Sequence, residues 1–317
     1  MKPAAEIRGL LSGLALVGIA GLIAIDGPQL IPGQELLQSL RFHIAAAVLG
    51  LVVLLLMSRA WWRGVLLLVI VLASAGQGGL IVYREQQARS AYDGRTALAT
   101  ARVLSFNVLN SNERGADIAD YMIETSPDVA FIMESGAIHF QRERIAAAFP
   151  YFGGCDGNGA NCDLMVFSKT PLTEVRVIPL QPFARLRLVV AKTVIDGQAV
   201  TLVGTHLSKP YFDESAWGEL YQIRALLRTI SGPVILSGDF NAAAWSEPVA
   251  QLATASDLVP PPYYPATWSI RFGALGVPID NMFTRGGARI ETIAAMDDAL
   301  GSNHRGLVAS VGLYGAD

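Results

Sequence analysis

The sequence predicts an α+β protein: a four-layer α/β/β/α sandwich, in which two packed mixed sheets are flanked by helices, preceded by three N-terminal transmembrane helices. Three observations lead there. Long apolar blocks are confined to the first 83 residues. Beyond residue 100 the chain breaks into short runs rich in Val, Ile and Phe, the signature of buried strands rather than helices. Between those runs lie amphipathic stretches with readable helix ends, so helices pack outside the sheets.

The apolar blocks come first in the chain. Leu10–Ile25, His43–Met57 and Gly64–Tyr83 are the expected spans, measured against the roughly 20 apolar residues that a hydrocarbon core requires. Trp61 and Trp62 suit an interfacial belt. No A-x-A-like site follows the first block and further apolar spans come at once, which favours an anchor over a cleaved signal peptide. Lys and Arg concentrate on cytoplasmic flanks. Lys2 and Arg8 precede the first span, and Arg59 and Arg63 sit between the second and third. The loop from Asp26 to Arg41, with two acids and one Arg, reads as external, and so does everything after Tyr83. Arg84, Arg89 and Arg95 count against that orientation. The expectation is a multi-pass protein of the cytoplasmic membrane whose large domain is extracytoplasmic.

The division is then residues 1–83 as anchor, 84–100 as a linker or helical exit, and 101–317 as the folded domain. The last part carries 16 Lys and Arg against 22 Asp and Glu, whereas domains that neutralise nucleic-acid phosphates are normally basic. Its two cysteines, Cys155 and Cys162, bracket a short Gly-rich loop. They read as a disulfide, which needs an oxidising compartment, or as half of a zinc site.

The expected strands are ARVLSFNV, DVAFIME, DLMVFS, LRLVVAKTV, AVTLVGTHL, PVILSGDF, PIDNMF and GLVASVGL. One expected helix carries Trp217, Leu220, Ile223, Leu227 and Ile230 at three- and four-residue spacing, with Asp213 as its cap and Gly232-Pro233 as its stop. Another opens at Ser246, before Glu247 and Pro248.

Polar residues recur where these runs end or begin: Asn107, Glu134, His206, Asp239 with Asn241, Asp280 and His304. A strand covered on both faces cannot hide an unpaired carboxylate cheaply, so such groups collect at strand ends. Taken singly, each has an ordinary structural explanation, a solvated strand end or a turn. Taken in order, they describe one site.

The segments LSFNVLN, PDVAFIMES, DLMVFSK, GTHLS, LSGDFNA, PIDNMF and GSNHRG resemble the motif series of the endonuclease/exonuclease/phosphatase superfamily, which includes DNase I-like nucleases, inositol polyphosphate phosphatases and sphingomyelinases. The resemblance spans Ala101 to Gly312, and the anchor is similar to that of a bacterial membrane-anchored subgroup. It implies a metal-dependent hydrolase of phosphate esters. Glu134 would bind Mg2+ or Mn2+, with Asn107 and Asn303 beside it; Asn107, Asn241 and Arg305 would contact substrate. Asp239 would orient or deprotonate the attacking water, Asn241 would bond phosphoryl oxygens, and Asp280 would fix the His304 imidazole. His206 would serve the leaving group or the phosphate. In three places the chain departs from the motif series. Asn303 replaces an acid, Leu109 stands where an acid is common, and Asn281 follows Asp280. The partner implied is a phosphate ester, from a lipid head group or nucleic acid, with no obligate protein partner. Alternatives are an extracytoplasmic nuclease, with Arg185, Arg187, Lys192, Lys209 and Arg305 forming a local basic face, and a catalytically weakened phosphate- or lipid-binding sensor.

Overall fold

The computed structural model describes residues 3–27, 33–155, 163–210 and 215–314. Two sheets stack face to face. The first has the order β10-β11-β1-β2-β4-β3 and the second β5-β6-β7-β8-β9. The first contains β1 (Ala99–Asn107), β2 (Val129–Met133), β3 (Tyr151–Gly154), β4 (Leu164–Ser168), β10 (Ala288–Ala295) and β11 (Leu307–Leu313). The second contains β5 (Thr173–Leu180), β6 (Arg185–Ile195), β7 (Gln198–His206), β8 (Val234–Asp239) and β9 (Asp280–Arg285).

Each strand's two-residue side-chain period sorts its residues between layers. In β1, Ala101 and Val103 enter the core between the sheets. Leu104 and Phe106 face outward against α5 (Gly115–Thr125) and α6 (Arg142–Ala148), through Ile118, Met122 and Ile145. Opposite, Val203, Leu236 and Phe283 pack on α7 (Ser215–Leu227) and α8 (Glu247–Ala255). The result is the four-layer sandwich expected.

Both sheets are mixed, and each has a parallel pair at its centre, β1 with β2 and β7 with β8. Parallel neighbours end at the same edge, which brings Asn107 beside Met133 and His206 beside Asp239. The flanking strands run antiparallel, so their beginnings reach that edge too: Asp239 lies opposite Asp280, and Leu307 opposite Ser105.

The strands absent from the sequence expectation are β3, β5 and β10, all at sheet edges. An edge strand lacks a neighbour on one side and meets solvent, so it needs no continuous apolar run; β5 is mostly exposed. The helix with the periodic stripe forms as α7 and buries Leu220, Ile223 and Leu227. Asp213, its expected cap, lies outside the described residues. Ser246 takes the N-cap backbone conformation of α8, without a capping bond from its hydroxyl.

Ahead of the sandwich stand α1 (Pro3–Asp26), α2 (Gln34–Ser39), α3 (Arg41–Met57) and α4 (Trp61–Gln87). Two helical stretches, Ala5–Asp26 and Trp61–Tyr92, are long and apolar enough to cross a membrane; the expectation of three full-length spans reduces to two. The shortfall is α3, whose 17 residues reach roughly 25 Å at 1.5 Å per residue. Segment 84–100 begins as a continuation of α4 and a 3₁₀ turn over Ala88–Tyr92. Arg89 there is buried and donates to the carbonyls of Pro260 (2.8 Å) and Ile290 (2.9 Å).

The short helix α2 joins the N-terminal helices to the sandwich. Ser39 Oγ accepts from Ala243 N (3.0 Å), the Gln38 carbonyl from the Trp245 indole (3.1 Å), Gln38 Oε1 from Glu247 N (2.8 Å) and Glu35 Oε1 from the Trp217 indole (2.7 Å). Three of these bonds secure the chain immediately downstream of Asn241, and the fourth holds α7.

Candidate active site

The polar residues expected from the sequence meet at the shared strand edge. Asn107, the last residue of β1, donates from Nδ2 to Glu134 Oε1 and Asp239 Oδ2, both at 3.1 Å, and thereby ties the two sheets together. Its own Oδ1 accepts from Leu109 N at 3.1 Å. Glu134 is one residue past β2 in the left-handed backbone region (φ 54°), and its Oε2 accepts from Asn110 N at 2.8 Å.

Asp239 closes β8 and is buried. Its Oδ1 accepts from Asn241 N at 2.8 Å, and its Oδ2 faces His206 Nε2 (3.7 Å) and His304 Nε2 (3.8 Å). Burial first, and then the charge of Asp280, push the Asp239 carboxyl up; the two histidines and the Asn241 amide oppose the shift. The neighbouring glycine is required by close approach. A Cβ at Gly238, where φ is +155°, would lie 1.7 Å from the Thr205 carbonyl oxygen.

His304 is oriented by Asp280 Oδ2, which accepts from Nδ1 at 2.9 Å. Burial disfavours the imidazolium, but Asp280, Asp239 and Glu134 outweigh it and raise His304 to about 9. The loop carrying this histidine is held by Ser302, whose hydroxyl accepts from His304 N (3.0 Å) and donates to the Asn107 carbonyl (2.6 Å). His206 is likewise held at Nδ1, by Asp163 Oδ2 at 3.1 Å. Asp163 is desolvated, yet the His206 ring and Arg187 (3.1 Å) keep its carboxyl below the ordinary range.

Asp163, Ser302 and Thr267, whose Oγ1 accepts from Asp280 N at 3.3 Å, escaped the sequence reading. A signal existed for the first. Asp163 opens the run DLMVFS, and the start of β4, antiparallel to β2, lies at the same edge as the end of β2. Asn281 is buried, donates to the carbonyls of Ala242 (2.9 Å) and Ile279 (3.2 Å), and braces the turn after Asp239. Asn241 donates from Nδ2 to the Leu207 carbonyl at 2.8 Å, which leaves one amide proton for another acceptor.

The side chains of two expected members make no hydrogen bond to this cluster. Asn303 is exposed. Arg305 donates from Nε to the Met296 carbonyl at 2.6 Å and lies 3.9 Å from Asp297. Cys155 has no free thiol, and Cys162 lies outside the described residues.

For a divalent cation, two overlapping donor sets are in place. Ligand atoms of Asp239, Asp280 and His304 lie within 4.8 Å of one another. Glu134 presents a half-buried carboxylate linked to Asp239 through Asn107. Hard oxygen donors suit Mg2+ or Mn2+. Asp280 Oδ1 is buried without a hydrogen-bond partner, and a cation would relieve the repulsion that raises Asp239. The residues therefore fit such an ion.

A family model, the Endonuclease/Exonuclease/phosphatase family, matches residues 104–304. Among solved structures, an endonuclease/exonuclease/phosphatase from Beutenbergia cavernae DSM 12333 is similar with a TM-score of 0.57 and 20% identity, over 69% of this chain and 72% of that one. An endonuclease/exonuclease/phosphatase from Bacteroides vulgatus gives 0.55 and 18%, over 68% and 99%. Staphylococcus aureus beta toxin, with bound magnesium ions, gives 0.53 and 15%, over 68% and 99%. At these identities the likeness is one of fold. No curated protein matches the chain.

Proposed function

Because the chain belongs to the endonuclease/exonuclease/phosphatase family, we propose that it hydrolyses phosphate esters at the external face of a membrane spanned by its N-terminal helices. The observation that carries this reading is the convergence on Asp239 of His206 and His304, each ring fixed from behind by its own carboxylate, with Asn107 and Glu134 on the remaining side.

In this mechanism Asp239 accepts a proton from a water aligned for in-line attack on phosphorus. The His304 imidazolium, kept charged by Asp280, holds a phosphoryl oxygen as negative charge builds, and the free Asn241 amide proton serves another. The bond from phosphorus to the leaving oxygen breaks as His206 Nε2 gives that oxygen a proton. Glu134, with Asp239 and Asn107 beside it, would hold Mg2+ or Mn2+, which supplies neutralising charge to the phosphoryl oxygens. The beta toxin with bound magnesium ions supports that choice of ion.

Membrane placement rests on the helices. Leu10, Leu14, Val17, Val53, Val69 and Leu72 are exposed along α1, α3 and α4, an apolar surface unsuited to water and suited to lipid. The nuclease alternative needs a basic face. Arg187 pairs with Asp163 and Lys192 with Glu174, which neutralises two of the five cations that would form it.

The test is Mg2+- or Mn2+-dependent hydrolysis of a chromogenic phosphodiester by the full chain in detergent, beside Asp239→Ala and His304→Ala. We expect both variants to lose activity by about a hundredfold or more. Turnover that persists in both would remove the proposed site from the reaction.

A further inference from the structure

The chemistry above leaves segment Ile270–Leu275 without a role. It is a 3₁₀ turn with no buried residue; Phe272 is 66% exposed, Leu275 75% and Ile270 38%. Single exposed apolar residues are ordinary, but three within six residues at a loop tip form a surface that wants covering. The loop's position indicates by what. Its root, Trp268 and Val277, pairs backbone to backbone and shares an apolar cluster with Leu40, Phe42, Ile81 and Val82 of the anchor. Its far end, the Leu275 carbonyl, lies 2.8 Å from His43 Nε2 in the first turn of α3. The exposed tip is therefore level with the end of the apolar bundle.

The same root continues into the active site. Thr267, next to Trp268, accepts from Asp280 N through its hydroxyl (3.3 Å) and from Arg305 N through its carbonyl (2.9 Å). Asp280 in turn holds His304. One continuous piece of chain thus runs from the bundle end to the catalytic pair.

We propose that Ile270–Leu275 dips into the bilayer that holds the anchor, seats the active site on the lipid surface, and makes phosphate esters of membrane lipids the substrate class. The inference rests on the anchored-hydrolase reading above. Phe272, Leu275 and Ile270 bury their side chains among acyl chains, and the exposed Arg271 lays its stem along them with its guanidinium among head-group phosphates.

The experiment uses the full chain reconstituted in phosphatidylcholine vesicles, with and without phosphatidylglycerol. In Phe272→Trp, the emission added over the unaltered chain should be blue-shifted and quenched by lipids brominated on the acyl chains. In Phe272→Ser/Leu275→Ser, hydrolysis of vesicle phospholipid should fall about tenfold or more, the scale of one lost side-chain burial. Turnover of a soluble chromogenic phosphodiester should change less than about twofold, since neither residue touches the site. Added emission that stays solvent-like and unquenched overturns the membrane contact and leaves a protein partner to cover the tip. Quenching without a selective loss of lipid turnover overturns the substrate assignment. If the unaltered chain hydrolyses neither substrate, the hydrolase reading fails, and the quenching result still decides the loop.

Discussion

Asp280→Asn tests the electrostatics of the site most directly. The carboxylate lies 2.9 Å from His304 Nδ1 and is the largest of the influences that raise His304 to about 9 against the opposing effect of burial. Without that charge, only Asp239 and Glu134 oppose burial, and the imidazole should fall back toward its ordinary value of about 6.5. If the imidazolium is the working form, the unaltered enzyme keeps its activity up to about pH 9. The variant should then lose about tenfold per pH unit above roughly 6.5, or about thirtyfold at pH 8 from titration alone. Loss that persists at pH 6 measures orientation of the ring rather than its charge. The assay is kcat/KM on a chromogenic phosphodiester from pH 5.5 to 9.5. A variant profile parallel to that of the unaltered enzyme, displaced downward by one factor throughout, would refute the role of Asp280 in holding the charge.

The same shift sets a stability trend. A folded pKa of about 9 for His304 above an unfolded value near 6.5 stabilises fully below about 6.5 and is lost as pH rises through about 9, so the Tm should decline across that window and flatten in Asp280→Asn. The raised Asp239 carboxyl acts in the same direction, since the protonated form that the fold favours is lost as pH rises. Its raised pKa means that the buried anion strains the metal-free fold, so Asp239→Asn should abolish activity while leaving Tm unchanged or higher by a few degrees in a thermal melt. Gly238→Ala places a methyl against the Thr205 carbonyl and should cost about 3 kcal/mol or more by denaturant titration, with activity lost alongside. Ser39→Ala leaves the buried Ala243 N–H without its acceptor; at about 1–3 kcal/mol, hydrogen exchange over residues 243–247 in the reconstituted chain should accelerate about tenfold or more.

Much of this was legible in the residues. Asn107, Glu134, His206, Asp239, Asp280 and His304 stood out because a polar group at the limit of an apolar run has few places to go in a buried sheet. Short runs rich in Val, Ile and Phe located the interior strands, and helical spacing located α7. The edge strands β3, β5 and β10 were hidden because solvent, not a neighbouring layer, covers part of their surface. Asp163 was hidden in plain view at the head of β4. Knowing that it faces His206 requires knowing that β4 runs antiparallel to β2 and reaches the same edge.

The sequence by itself determined the layers, the apolar N-terminal block and the identity of the reactive groups, because hydrophobic periodicity and side-chain chemistry are local properties of a chain. Only the tertiary structure decided which groups touch. Asn107 bridges Glu134 and Asp239 across two sheets, Arg305 turns to the Met296 carbonyl, and α2 docks on the turn beyond Asn241. Those contacts join residues up to 209 positions apart. Strand direction and register determine such pairings, and neither leaves a periodic mark in the sequence.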